Sequence, residues 1–419
     1  MPPGQALDKT AAEKIKEIGT ADVVVGIPSF NNARTISHVV RAVSAGLAKY
    51  FPDTKNVLVN SDGASSDGTP QIVMETQIED LSAILVRHKL YSVHKIVTPY
   101  HGIPGKGSAL RTIIEIGTSL GAKAMAVVDS DLRSITPEWV ELLVGPVLRE
   151  GFDYVTPLYA RHKYDGSITN SIVYPVARAL YGKRIRQPIG GDFGFSGKLG
   201  SHYLSHKVWD TDVARYGIDI WMTTTALAGG YKVCEAFLGA KLHDEKDPGA
   251  DLSSMLTQVV SSVFGLMETY YSVWKDVSGS VGVPLFGMRY GVGVEPINVN
   301  IERMIESFRH GLEHLSPLWA RFLEQDVLKK LEFTLDTRKF KLADELWVRL
   351  IYDFALAYHE RKLNREHLLK SMTPLYLGKV ASLFTEMRDS HEKEVEDRIE
   401  ALCMTFETMK DYLAEKWKP

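Results

Sequence analysis

The stretch Ala124-Met125-Ala126-Val127-Val128-Asp129-Ser130-Asp131 decides the fold. Five apolar residues, the length of a buried strand, stop abruptly at two carboxylates separated by one serine. Two earlier segments repeat the pattern. Val23-Val24-Val25-Gly26-Ile27 ends at Pro28 and is followed by apolar residues at helical spacing over 35–49, and Val57-Leu58-Val59 runs into Asn60-Ser61-Asp62-Gly63. Short apolar runs alternating with stretches of helical period predict an α/β sheet. In open sheets of this class ligands collect outside the carboxyl ends of the strands, so the three polar loops are expected to line one cleft.

Length and composition agree with this reading. The 419 residues are roughly two to three typical domains, and 45% hydrophobic with 24% charged residues is the balance of an ordinary globular chain. Lys+Arg number 49 against 52 Asp+Glu, a net charge of −3, which lacks the basic footprint of a general nucleic-acid binder. Cys234 and Cys403 stand far apart without a CxxC pair, so neither a disulfide framework nor a structural zinc site is expected, and a reducing, cytoplasmic location is. No run of about 20 apolar residues predicts a membrane span, and residues 8–16 are too charged for the apolar core of a signal peptide. The predicted organisation is an N-terminal helical extension over 1–21, an α/β domain over 22–290 that divides near 150, and a mainly helical C-terminal region over 291–419.

Three loops carry the chemistry. A strand-end D-x-D aims Asp129 and Asp131 toward one cleft, where a hard cation such as Mg²⁺ or Mn²⁺ can join oxygen ligands to a diphosphate. In Asp62-Gly63-Ala64-Ser65-Ser66-Asp67-Gly68-Thr69, Asp62 is placed to accept from a nucleobase or ribose, whereas Asp67 to Thr69 reads as an Asx-turn with a helix cap. In Gly102-Ile103-Pro104-Gly105-Lys106-Gly107-Ser108 the glycines are expected to let backbone approach a phosphate while Lys106 supplies a point charge. The Walker spacing GxxxxGK[ST] is absent and no GxGxxG follows the first strand, which argues against a P-loop ATPase and a dehydrogenase.

Together, Pro28-Ser29-Phe30-Asn31-Asn32, the Asp62 loop, Pro104-Gly105-Lys106-Gly107 and Asp129-Ser130-Asp131 resemble the nucleotide-sugar half of GT-A glycosyltransferases, a Rossmann-like fold. More narrowly, Arg186-Gln187-Pro188-Ile189-Gly190-Gly191-Asp192, Tyr216-Gly217-Ile218-Asp219-Ile220 and Leu242-His243-Asp244 resemble the acceptor loop, acidic segment and metal histidine of the retaining glucosyl-3-phosphoglycerate and glucosylglycerate synthases, the mannosylglycerate synthase-like enzymes of glycosyltransferase family 81. The likeness runs from about residue 22 to 260. It implies a nucleotide-sugar half over 22–150 and an acceptor half over 151–290. Pro28 and Asn32 would then flank base and ribose, Asp62 would contact the base, and Lys106 would lie by the diphosphate. Asp129 would touch ribose, or metal through water, with Ser130 beside the donor. Asp131 and His243 would hold the metal, and Asp219 would sit below the sugar near the acceptor hydroxyl, making Asp219 and Lys106 the catalytic pair. Arg161, Thr169, Asn170, Gly191 and Asp192 would face the acceptor.

The resemblance therefore implies a metal-dependent hexosyl transfer from a nucleoside diphosphate sugar, UDP-glucose or GDP-mannose, to a small carboxylate in compatible-solute synthesis. Charge and hydropathy predict no nucleic-acid or membrane partner, and the helical tail is expected to pack or to self-associate in a homodimer. Two departures bear on specificity. Asn32 stands where the family usually carries Glu. Ser167 stands where phosphoglycerate-using members carry an arginine, and losing such a fork removes a charge-assisted contact of about 1.5–3 kcal/mol. Glycerate is therefore the expected acceptor, with 3-phosphoglycerate the alternative if Arg161, His162 or Lys163 restores the charge. A nucleotidyltransferase and a non-catalytic sugar-nucleotide sensor are the readings from other classes.

Overall fold

Strand β1 (Val23–Ser29) is buried along its whole length because it lies inside the sheet, with a parallel partner on each side. The computed structural model describes residues 7–76, 93–100, 103–215, 217–242, 252–335 and 340–418. After β1 come β2 (Asn56–Asp62), β3 (His94–Pro99), β4 (Ala124–Val127), β5 (Tyr154–Ala160), β6 (Lys183–Arg184), β7 (Phe193–Ser196), β8 (Val233–Ala240), β9 (Val281–Gly282) and β10 (Leu285–Phe286). Eight of them form one sheet in the order β10-β8-β5-β7-β4-β1-β2-β3, parallel except for β7, which runs antiparallel to both β4 and β5.

The order shows where a ligand belongs. The chain builds outward from β1 through β2 to β3, then returns to place β4 on the other side of β1. The loops after β1 and β4 therefore leave in opposite directions and open a crevice between them.

Helices cover both faces. Val23, Val25 and Ile27 join one apolar cluster with residues of helices Ile36–Tyr50 and Pro137–Glu150, including Val39, Val43, Trp139 and Leu143. Gly26 points the other way, where a Cβ would press into Ile113 of helix Lys106–Ser119. The two helices of the first face approach closely at Gly46, where an added Cβ would lie 2.6 Å from the Pro137 carbonyl oxygen and 2.7 Å from Val140.

The chain divides into two compact units. The first comprises Met1–Ala160, Gln187–Lys246 and Val283–Gly293, and carries the eight-stranded sheet; the second comprises Arg161–Arg186, Asp247–Gly282 and Val294–Pro419. The second is helical apart from the short parallel pair β6–β9, and its core holds Trp274, Trp319 and Trp347, all fully buried. The tryptophans of the C-terminal region, Trp417 included, are thus packing residues. Residues 161–186 and 247–282, which the sequence assigns to the acceptor half, group with the helices instead. A reason lies at Arg178: its guanidinium is fully buried, bound to Glu400 at 2.8 Å and Glu407 at 2.6 Å, and so joins helix Tyr174–Tyr181 to helix Glu392–Thr408. Among the described residues no helix is long and apolar enough to cross a membrane.

Candidate active site

The crevice between β1 and β4 is closed at its base by hydrogen bonds between the two loops. Thr35 Oγ1 donates to the Ser130 carbonyl at 2.8 Å, and Ser130 Oγ donates to Asn32 Oδ1 at 2.8 Å. Asn32 also receives the Phe30 N–H at 2.9 Å and gives its own N–H to Thr69 Oγ1 at 2.9 Å. Pro28 lies near the carboxyl end of β1, opposite Ser61. Beside them Asp62, the last residue of β2, is buried and accepts from Ser29 Oγ at 2.9 Å, Ser65 Oγ at 2.7 Å and Ser65 N at 2.7 Å. Asp67 forms the expected Asx-turn with Thr69. The Thr69 hydroxyl, then the Ala33 N–H, hold its carboxyl below the usual range.

Below this rim lies a cluster of two lysines and three carboxylates. Lys106, the first residue of its helix, places Nζ 2.8 Å from Asp129 Oδ1 and 3.4 Å from Asp219 Oδ1, and donates to the Gly191 carbonyl at 3.0 Å. Lys241 Nζ lies 2.7 Å from Asp129 Oδ2 and 2.7 Å from Asp192 Oδ2, and donates to the Gly190 carbonyl at 2.8 Å. Asp192 is fully buried, its oxygens taken by the Asp129 N–H at 2.7 Å, the Tyr159 hydroxyl and Lys241. Asp219 stands in the first turn of helix Ile218–Ala228, and its buried Oδ1 has the Lys106 ammonium as its ion-pair partner at 3.4 Å.

Burial and charge pull these groups in opposite directions. Burial works against the Lys106 ammonium, yet Asp129 and Asp219 outweigh it and keep it above the ordinary lysine range. Asp129 resists burial in the same way, because Lys106 and Lys241 hold it well below the usual carboxylate range. Asp192 and Asp219 are pushed up, first by burial and then by the neighbouring Asp129 charge, although lysines oppose the shift in both. The cluster as a whole carries no excess of positive charge.

One expectation is revised here. The missing side chains of Gly105 and Gly107 are needed for packing. A Cβ on Gly105 would lie 2.6 Å from the Ala214 carbonyl oxygen, and one on Gly107 would lie 2.7 Å from Ala214 Cα, so these glycines let the helix start pack against the 212–214 turn. Gly191 does line the cluster, with φ +92°, and a Cβ there would meet Lys241 Nζ at 2.8 Å. Lys241 itself was not singled out from the sequence. It follows the apolar run of β8, and the same strand-end argument that selected Asp129 would have selected it.

Asp131 follows β4, and His243, its expected partner, lies outside the described residues, as do Gly102 and Tyr216. The chain just before His243 is nevertheless tied to the loop after β4: Arg133 N–H donates to the Leu242 carbonyl at 2.8 Å, and Leu242 N–H to Ser134 Oγ at 2.9 Å.

The expected acceptor residues fall in different units. Gly191 and Asp192 belong to the first, whereas Arg161, Thr169 and Asn170 belong to the second. There Arg161 pairs with Asp165 at 2.9 Å, Asn170 accepts from Arg186 at 2.9 Å, and Thr169 opens the π-turn Thr169–Val173. Ser167 shares a hydrogen bond of 2.6 Å with the Tyr376 hydroxyl.

The chain is similar to known glycosyltransferases. The family model for glycosyl transferase family 2 matches residues 24–195. Glucosyl-3-phosphoglycerate synthase of Mycolicibacterium smegmatis is 25% identical over 256 residues, covering 58% of this chain and 76% of that protein. The enzyme of the same name from Petrotoga mobilis is 24% identical over 271 residues, covering 61% and 77%. A solved glucosyl-3-phosphoglycerate synthase from Mycobacterium tuberculosis, in complex with Mn²⁺, UDP and glucosyl-3-phosphoglycerate, aligns at 21% identity over 64% of this chain and 85% of that one, with a TM-score of 0.44. The sheet order, the strand-end loops and the match over residues 24–195 lead to one conclusion: this protein is a glycosyltransferase of GT-A-like fold whose residues 24–195 match the glycosyl transferase family 2 model, and it is similar to the glucosyl-3-phosphoglycerate synthases.

Proposed function

We propose that the protein transfers glucose from UDP-glucose to a hydroxyl of a glycerate-type acceptor, 3-phosphoglycerate first, with retention at the anomeric carbon. The observation that carries this reading is the Lys106–Asp129–Lys241 cluster at the carboxyl ends of the strands, beside the β1–β4 crevice. Glucose is favoured over mannose because both curated relatives are named for glucosyl transfer to phosphoglycerate.

Breaking the glycosidic bond leaves negative charge on the departing diphosphate, and stabilising that charge is the main demand on the site. Lys106, held charged by two carboxylates, serves this purpose without a proton transfer. Because the cluster has no surplus positive charge, diphosphate binding calls for a dication, which Asp131 and His243 would hold; a bound Mg²⁺ or Mn²⁺ neutralises phosphoryl oxygens. Lys241 and Asp192 keep Asp129 in place. Asp219, whose only close partner for Oδ1 among the described residues is Lys106 at 3.4 Å, is suited to accept a hydrogen bond from the sugar or the acceptor hydroxyl. Its role is orientation and electrostatics rather than attack on the anomeric carbon.

Unphosphorylated glycerate is the second reading. Ser167 bonds Tyr376, and Arg161 is paired with Asp165, so neither offers an unengaged fork for a phosphate. Purified protein given labelled UDP-glucose or GDP-mannose, with 3-phosphoglycerate, glycerate or no acceptor, tests both readings. Labelled glucosyl-3-phosphoglycerate from UDP-glucose is expected. Glucosylglycerate alone would select the second reading, and release of free sugar with no conjugate under any combination would end the proposal.

A further inference from the structure

Helix Ile301–Trp319 of the second unit is anchored by one face. Phe308, Gly311, Leu312 and Trp319 are buried, and Gly311 lets it approach helix Thr373–Glu386 so closely that a Cβ would lie 2.8 Å from Pro374 Cγ. The opposite face presents Glu306, His310, Glu313 and His314 to solvent, with His310 62% and Glu313 54% exposed. Residues three and four apart on a helix are neighbours, and here the spacing places two imidazoles and a carboxylate on one turn. Their ligand atoms all lie within 4.8 Å of one another, the single group of three among the described residues to do so.

The His310 and His314 rings are parallel to within 6°, with centroids 6.2 Å apart. His310 Nδ1 lies 3.6 Å from Glu313 Oε2, while its other nitrogen lies 3.3 Å from Glu306 Oε1. A carboxylate behind a metal-binding imidazole fixes the ring and strengthens it as a ligand, and Glu306 stands in that position. Bonds of about 2.0–2.1 Å to nitrogen bring ligand atoms to roughly 3–3.5 Å from one another. Exposed side chains on a fixed helix can close the remaining distance by rotamer adjustment.

We propose that His310, Glu313 and His314 form a surface site for a borderline transition-metal dication of the Zn²⁺ or Co²⁺ class. Two imidazoles and one carboxylate select such ions over Mg²⁺, which prefers oxygen and water. Three protein ligands leave one tetrahedral position open to water or a small anion. The binding clamps one turn of the helix and involves neither Asp131 nor His243, so the site is independent of the metal invoked for glycosyl transfer.

The test uses the full-length, untagged protein, stripped of metal by chelation and titrated with Co²⁺ in excess Mg²⁺, following the visible absorption of tetrahedral cobalt. Saturation at one equivalent, with displacement by Zn²⁺, is expected. His310→Ala and His314→Ala should each weaken binding roughly tenfold or more, and Asp131→Ala should leave it unchanged. Mg²⁺-supported glucosyl transfer in the histidine variants serves as the check that they are folded. Unaltered Co²⁺ affinity in the double histidine variant, loss of the signal in Asp131→Ala alone, or no Co²⁺ binding by the natural protein below about 1 mM would each overturn the proposal.

Discussion

Asp129 is the residue on which the candidate site turns, because one carboxylate holds both Lys106 and Lys241. Removing Lys241, only 6% exposed, leaves Asp192 buried beneath it without its cation. Lys241→Met is therefore expected to cost about 3–5 kcal/mol of stability, the range for breaking a buried pair from one side, measured by denaturant unfolding. Asp219 gives a prediction in pH. Its carboxyl is raised by burial, then by the Asp129 charge, so turnover that needs the carboxylate falls as pH drops through a value above the usual carboxylate range of about 4. Asp219→Asn should lower kcat and abolish that acid limb in a pH profile; an unchanged limb would assign it to another group. Much of this was legible at the sequence level, since Lys106, Asp129 and Asp219 sit where strands end or helices begin. Lys241 follows the apolar run of β8 and meets the same strand-end criterion. Asp192, expected against the acceptor, proved to lie beneath the cluster because its oxygens are consumed by Asp129, Tyr159 and Lys241.

At the level of elements, β1, β2 and β4 announce themselves as apolar runs, whereas β7 does not. Phe193–Ser196 carries Gly194, whose missing Cβ makes room for the Leu143 backbone, so the feature that allows the strand to form also weakens its sequence signal. The pairs at β6 and β9 are two residues long and carry no periodicity. Gly107 was read for phosphate approach because a local pattern cannot reveal that a distant turn packs against it. Gly107→Ala should cost about 1–3 kcal/mol as overpacking, seen as a lower unfolding midpoint. Helices Ile36–Tyr50 and Pro137–Glu150 are joined by Glu138, which accepts from Tyr50 OH at 2.8 Å and Lys49 at 3.2 Å. Burial opposes its charge, but the Tyr50 hydrogen bond, its own N–H, Thr136 and Lys49 prevail and bring its pKa down to about 2. A depressed carboxylate contributes stability above its unfolded pKa of about 4.3 and loses it as pH falls toward 2. Glu138→Gln should flatten that part of the stability–pH curve, and an identical curve would contradict the pairing.

Over the whole molecule, the C-terminal region is helical as expected, yet which other segments belong with it was not legible. Segments 161–186 and 247–282 join it through tertiary contacts such as the buried Arg178–Glu407 pair, formed by residues 229 positions apart. Arg161, Thr169 and Asn170 consequently belong to the helical unit, and the first unit retains the loops that follow β1, β2 and β4 together with the lysine cluster. That unit is where the nucleotide sugar and its cation are expected.

Crystals of the protein grown with Mn²⁺ and UDP-glucose, and measured for anomalous scattering from manganese, test this account most directly. It predicts a manganese peak bound by the Asp131 carboxylate and the His243 ring, with UDP in the β1–β4 crevice and Lys106 beside its diphosphate. Manganese on other residues, or a nucleotide bound away from those loops, would contradict it.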